Sequence, residues 1–243
     1  MCPARGRSVA YAGRMLIAAA VVPHPPVLVP EIAQGFAPDL DTLRGACGTA
    51  IDRLYAAGAD ELLIVGSGPR RSTDVAHTGG FHDYGVGLTV DGRWASTTEP
   101  AEAMSLPFLI AAWLLRDRPE DPVRRPIMVD EPSTWEISTA NDRRQAMLVL
   151  GDGAASRTPQ APGHFDERAE PYDAAVARAL AAADTKALAD LDPELSRQLH
   201  VAGLAPWKVL AASASGVEYD AELLYDEAPY GVGYFVATWL ARY

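Results

Sequence analysis

The stretch Ala20–Ala33, AVVPHPPVLVPEIA, carries the most information about the fold. An apolar run from Leu16 to Val22 ends in His24, which stands between two prolines. Proline fixes its own φ and holds the preceding residue in an extended conformation. The pattern therefore predicts a buried first strand that ends in a histidine on stiff backbone. Imidazole is the commonest metal-binding side chain, so His24 is a candidate metal ligand. An ordinary loop histidine is the alternative, and spacing alone favours it.

The segments after His24 alternate between helical and strand periodicity. Helices are predicted at residues 41–57, 101–115, 171–183 and 204–214. Strands are predicted at residues 61–65, 84–90, 126–129 and 147–150. Residues 217–225 and 232–239 close the chain as two strands or as a strand and a helix. This alternation predicts a single α/β domain in which helices flank a mostly parallel sheet.

Four motifs of this chain resemble one known family. They are VPHPP at residues 22–26, LVLGD at 148–152, YDAAVARALAAADTKALADLDPEL at 172–195 and YGVGY at 230–234. Together they resemble the class III extradiol ring-cleavage dioxygenases of the protocatechuate 4,5-dioxygenase B-subunit type, closest to the branch that includes the Memo proteins. The resemblance covers most of the chain after Met15. It implies a three-layer α/β fold and a chemistry in which Fe(II) binds a catechol and O2 while a histidine handles protons.

Three of the four family site positions hold other residues in this chain. The resemblance makes His24 the first metal ligand. Gly68 stands where the family has its second histidine ligand, and Ala155 stands where it has its catalytic histidine. Val201 stands where the family has a glutamate ligand, or a cysteine in Memo proteins. A facial triad needs two histidines and a carboxylate, so the inherited site cannot form. The favoured hypothesis is a non-catalytic or repurposed relative, a pseudoenzyme that binds a small ligand.

Other histidines keep an active enzyme open as the alternative. His77 and His82 are five residues apart around a pliable Gly-Gly pair, and His200 adjoins Val201. A metal-dependent ring-cleavage dioxygenase could use a site rebuilt from His24 and these candidate substitutes. It would need Fe(II) or another divalent metal as its cofactor. The simpler interpretation of His77 and His82 is that they are surface-loop histidines.

Two further features point to a ligand site. The glycine-rich turn GSGPRRST at residues 66–73 offers Ser67, Gly68 and Arg70 to a carboxylate or phosphate, with a solvated turn as an equal alternative. Asp152 ends a strand, either as a partner that orients His24 or as a capping residue. Since ligands bind beyond the carboxyl ends of parallel strands, these residues, His24 and the segment near His200 are predicted to share one pocket.

Composition limits the partners. The net charge of −11 argues against binding to nucleic acid and to anionic membrane surfaces. Cys2 and Cys47 cannot build a disulfide framework. We expect a cytoplasmic protein with a small-molecule ligand, and a homodimer stays open. Residues 1–14 are predicted to be a flexible extension before a single domain at 15–243, with the native start at Met1 or Met15.

Overall fold

The computed structural model describes residues 16–69, 73, 75–95, 103–130 and 143–242. These residues form a six-stranded sheet and a separate two-stranded sheet. The strands are β1 (Leu16–Val22), β2 (Glu61–Ser67), β3 (Thr78–Gly80), β4 (Thr89–Asp91), β5 (Val123–Val129), β6 (Gln145–Leu150), β7 (Tyr219–Glu227) and β8 (Tyr234–Ala241). The predicted extension at residues 1–14 lies outside the described residues.

The large sheet has the strand order β5-β2-β6-β1-β8-β7. Strands β5, β2, β6 and β1 run parallel, whereas β8 is antiparallel to β1 and β7 is antiparallel to β8. The prediction of an α/β protein with a mostly parallel central sheet is therefore confirmed. Strand β6 lies between β1 and β2, so the turns that follow these three strands meet at one edge of the sheet.

Helices cover both faces of the large sheet. They are α1 (Pro30–Ala33), α2 (Asp41–Ala56), α3 (Leu106–Leu114), α4 (Ala169–Ala181), α5 (Thr185–Ala189), α6 (Pro193–Gln198) and α7 (Leu204–Ala214). Side chains of α2 and α3 belong to the hydrophobic core on one face, and those of α4 and α7 belong to the core on the other. Every residue of β1 is buried because the strand is covered on both faces, as is typical of parallel sheets.

Two sequence predictions were wrong in detail. Residues 84–90 do not form a continuous strand: a 3-10 turn occupies His82–Tyr84, and only Thr89–Asp91 extends, paired with β3. Gly85 breaks the segment because it adopts a left-handed φ of 79°. The helix predicted at 101–115 begins only at Leu106, and Pro107, which was expected to kink it or mark a break, lies in its first turn and marks its start.

The closing segments are both strands and form the β7–β8 hairpin. Strand β7 lies at the end of the sheet, and strand β8 pairs with β1. The hairpin thus brings the YGVGY turn to the same edge as His24. No helix among the described residues is both long and apolar enough to cross a membrane.

Candidate functional site

His24 lies just beyond β1 and is buried, with 5% of its surface exposed. Its main-chain N–H donates a hydrogen bond of 2.7 Å to Oδ1 of Asp152. Its ring Nδ1 lies 3.5 Å from the same oxygen, is buried, and has no hydrogen-bond partner. Asp152 therefore fixes the backbone of His24 and faces a buried ring nitrogen that makes no hydrogen bond of its own.

Asp152 follows β6, the strand next to β1. Burial raises the pKa of its carboxyl above the usual range, and the neighbouring His24 partly opposes that rise. Asp152 therefore acts on the histidine in two ways: it accepts a hydrogen bond from the His24 main chain, and its carboxyl lies within ion-pair distance of the ring.

Hydrogen bonds on two sides hold the loop Gly151–Ala155 in place. Gly203 N–H donates to the Asp152 carbonyl at 2.9 Å, and Gly153 N–H donates to the Gly233 carbonyl at 2.7 Å. Gly233 N–H in turn donates to the Ala154 carbonyl at 3.0 Å. The LVLGD segment, the start of α7 and the YGVGY turn, which are far apart in sequence, thus meet around Asp152.

Asp173 is a residue of this region that the sequence analysis missed. It lies on α4 and is fully buried. Its Oδ1 accepts a 2.8 Å hydrogen bond from Ala154 N–H, and its Oδ2 accepts one of 3.1 Å from Arg157. Burial raises the pKa of Asp173 to about 6, although both hydrogen bonds lower it. The sequence does contain a signal that could have identified Asp173. It is an acidic residue on the apolar face of a predicted helix, three and four residues before Val176 and Ala177.

Position 68, where the resemblance places a second histidine ligand, is closed to a side chain. Gly68 N–H donates to the Val129 carbonyl at 2.9 Å, which holds the turn against β5. A Cβ on Gly68 would overlap Sδ and Cγ of Met128, and Met128 is buried. A histidine at this position would have to displace that side chain. Ser67, the last residue of β2, lies two strands from His24, which is about 10 Å.

The other two family positions carry no ligand atoms in their side chains. Ala155 N–H donates to the Leu199 carbonyl, and Val201 N–H donates to the Ser196 carbonyl, each at 2.9 Å. The segment before α7 therefore adjoins the loop after β6. Its histidine, His200, is exposed and has a left-handed φ of 56°.

His77 and His82 are not brought together with His24 in a metal-binding group among the described residues. His77 is half-buried just before β3, and His82 is exposed in the 3-10 turn. No hydrogen bond or ion pair among the described residues joins either of them to His24. Within that same part of the chain, no group of three or more His, Cys, Asp or Glu side chains could hold a metal ion. Arg70 lies outside the described residues.

Three tyrosines of the β7–β8 hairpin, Tyr225, Tyr230 and Tyr234, form a group that we term the tyrosine cluster. Burial raises the pKa of Tyr234. The charge of Asp152 raises the pKa of Tyr234 further, because the carboxyl lies close to this phenol. The Tyr230 hydroxyl is buried without a hydrogen-bond partner. Burial and Glu227 raise the pKa of Tyr225 to about 12. The cluster therefore places the Tyr234 phenol beside the His24–Asp152 pair.

The chain matches no protein-family model and no curated protein. Three of the four motifs that resemble the class III extradiol dioxygenases, VPHPP, LVLGD and YGVGY, meet at this edge of the sheet. In chemical terms the edge offers one imidazole, one carboxyl whose protonated form is favoured by burial, and phenol hydroxyls. These groups can bind and orient a small molecule through hydrogen bonds.

Proposed function

We propose that this chain is a repurposed, non-catalytic relative of the class III extradiol ring-cleavage dioxygenases that binds a small ligand beside His24. The observation that carries the proposal is the contrast between two family positions. His24 is retained and buried with Nδ1 unpaired, while the space at position 68 is filled by Met128. We take the fold to be the family's three-layer dioxygenase-like domain.

The residues at this edge do not fit the Fe(II) centre of the family. A facial triad requires three converging ligands, and only His24 has the right chemistry at its family position. The carboxyl next to it, Asp152, accepts a hydrogen bond from the His24 main chain. We therefore assign the site to binding and derive no reaction at a metal.

The unpaired polar atoms support ligand binding. A buried polar group without a partner costs about 1–3 kcal/mol, and this edge has two, His24 Nδ1 and the Tyr230 hydroxyl. A ligand that donates a hydrogen bond to His24 Nδ1 and forms another with the Tyr230 hydroxyl would recover part of that cost. The neighbouring Asp152 disfavours an anion at this end, whereas aromatic side chains in the cluster suit a flat ring. We therefore favour a small, neutral aromatic ligand with polar substituents.

Metal content and ligand binding together test this proposal. Purified protein is loaded anaerobically with Fe(II), freed of excess metal, and analysed for iron. It is then mixed with protocatechuate or catechol in air and followed for the yellow ring-cleavage product. We expect less than stoichiometric iron and no product. Stoichiometric iron together with ring opening would establish the rival function, a dioxygenase with a site rebuilt from His24 and other histidines.

Ligand binding is measured by thermal shift and calorimetry with a panel of substituted phenols and neutral aromatic amides. A panel member that binds the wild type should lose most of its affinity in His24→Ala. The matched control is His82→Ala, which removes an exposed imidazole. Equal loss in both variants, or no loss in either, would place the ligand elsewhere.

A further inference from the structure

The basic residues of this chain are divided very unevenly between arginine and lysine. Of 21 basic residues, only Lys186 and Lys208 are lysines. Both lie on the wall of one cavity of about 310 Å³ between α5 and α7. The remaining wall consists of two hydroxyl residues, Thr185 and Ser215, and three alanines. The only two ammonium side chains in the sequence therefore meet at a single concave site.

Lys208 is the more informative of the two lysines. It is the only charged residue of α7 and is half-buried, on a helix whose other residues up to Ala211 are buried. Residues at spacings of three, four and seven share a helix face, so Lys208 lies above Ala211 and next to Ser215 along the same wall. Among the described residues it has no hydrogen bond and no ion pair. Lys208 therefore contributes to the cavity wall a charge that has no counter-ion among the described residues.

Lys186 is more exposed and already has an acidic neighbour. Its ammonium group pairs with Asp190 one turn further along, and Asp184 lies close enough to add to the rise in the pKa of Lys186. The Lys186 side chain is 85% exposed. Exposed pairs of this kind are worth little, so a ligand can replace Asp190 at small cost. The cavity can therefore receive two ammonium groups at once.

We propose that the α5–α7 cavity binds a small oxyanion of the phosphate class, held by Lys208 and Lys186 with the hydroxyls of Thr185 and Ser215. Lysine binds phosphate as a compact point charge, whereas arginine suits planar, forked contacts. The alanine walls leave room for an ammonium–phosphate contact, and the volume is at the lower limit of small-molecule sites. With a net charge of −11, the chain as a whole repels anions. Phosphate binding would therefore depend on the local pair of lysines and not on the overall charge.

The site is separate from the His24 edge. Gly203, at the start of α7, contacts the Asp152 loop, whereas Ser215 is twelve residues further along, about 18 Å at the rise of a helix. The two sites can therefore be tested independently.

The test is titration of the full chain with inorganic phosphate at low ionic strength, followed by calorimetry and by amide chemical shifts of α7. We compare the wild type with Lys208→Met, which keeps the length of the side chain and removes its charge. The matched control is Arg178→Met, which removes an exposed charge on α4. Loss of one charge-assisted contact should weaken phosphate binding about tenfold or more in Lys208→Met and leave Arg178→Met unchanged.

The proposal would be overturned if the wild type did not bind phosphate, or if Lys208→Met bound phosphate as well as the wild type does. It would also be overturned if the amide chemical-shift changes caused by phosphate lay outside residues 208–215. Tighter binding of acetate than of phosphate would refute the ligand class. Circular dichroism confirms that each variant is folded before titration. Lys208→Arg adds a second readout, because a site that requires an ammonium group should bind phosphate more weakly with the larger guanidinium.

Discussion

The closed space at position 68 can be tested with a single methyl group. Gly68→Ala would place its Cβ within the Met128 side chain, which is 1% exposed and cannot swing into solvent. Overpacking of this kind costs about 1–3 kcal/mol. A glycine replaced by alanine without a clash instead stabilises a protein by about 0.4–1 kcal/mol. The sign of the change in the free energy of unfolding therefore reports whether the space is filled.

The chain contains its own control for this experiment. Gly45 lies on an exposed position of α2, and a Cβ there would meet nothing within 4 Å. Gly45→Ala should stabilise the protein by about 1 kcal/mol, because alanine is the better helix former. Met128→Ala removes the obstructing atoms at a cost of about 2–5 kcal/mol. In the double variant with Gly68→Ala, the extra cost of the methyl group should disappear, giving a coupling of about 1–3 kcal/mol.

Urea denaturation followed by tryptophan fluorescence measures the wild type and the four variants, and unchanged m-values would validate the comparison. A Gly68→Ala variant at least as stable as the wild type would show that position 68 has room for a side chain. The proposed absence of a second metal ligand at this position would then rest on residue identity alone, and Gly68→His with Fe(II) would become the experiment of choice. Additive costs in the double variant would show that Met128 is not the obstruction.

Further expectations concern the loop after β6 and the N-terminus. Because the pKa of Asp173 is raised from 3.8 to about 6 in the fold, its proton stabilises the folded state below about pH 4, and that contribution is lost as the pH rises through 6. The free energy of unfolding of the wild type, relative to Asp173→Asn, should therefore fall by about 2 kcal/mol between pH 4 and pH 7, and a flat difference in urea titrations would contradict the pKa. Gly151→Ala should destabilise the protein by about 3 kcal/mol in the same assay, because its Cβ would lie 2.6 Å from Cα of Gly203, a main-chain atom that cannot rotate away. Deletion of residues 1–14 should leave the Tm unchanged, and a marked drop in a thermal scan would refute the flexible extension.

The sequence predicted the features that depend on local pattern. The apolar runs at 16–22, 61–65 and 147–150 identified three neighbouring strands, since each run is short and continuous. Their parallel arrangement followed from the helices between them, and it predicted that the His24 and Asp152 turns would meet. The hydrogen bond between the His24 main chain and Asp152 fits that expectation.

What could not be predicted depends on register and on packing between distant segments. Met128 blocks position 68 because β2 and β5 pair with Gly66 opposite Met128, a register that no local pattern specifies. Asp173 contacts the loop after β6 through the packing of α4, and a single acidic residue on a helix does not indicate what it will touch. The unpaired Tyr230 hydroxyl likewise depends on how the hairpin folds over the sheet edge.

The position of β7 at the end of the sheet has a consequence for self-association. In the part of the chain that the structure describes, β7 pairs only with β8, so its outer edge offers main-chain groups to another strand. Its exposed residues are acidic: Asp220, Glu222, Asp226 and Glu227. Asp220 pairs with Arg242 and Glu222 with Arg53, so Asp226 and Glu227 supply most of the repulsion between two such edges at neutral pH, a common protection against strand-to-strand aggregation. Any homodimer should therefore use a different surface, and acidification, which neutralises these carboxylates, is the condition under which copies of this chain would begin to join edge to edge.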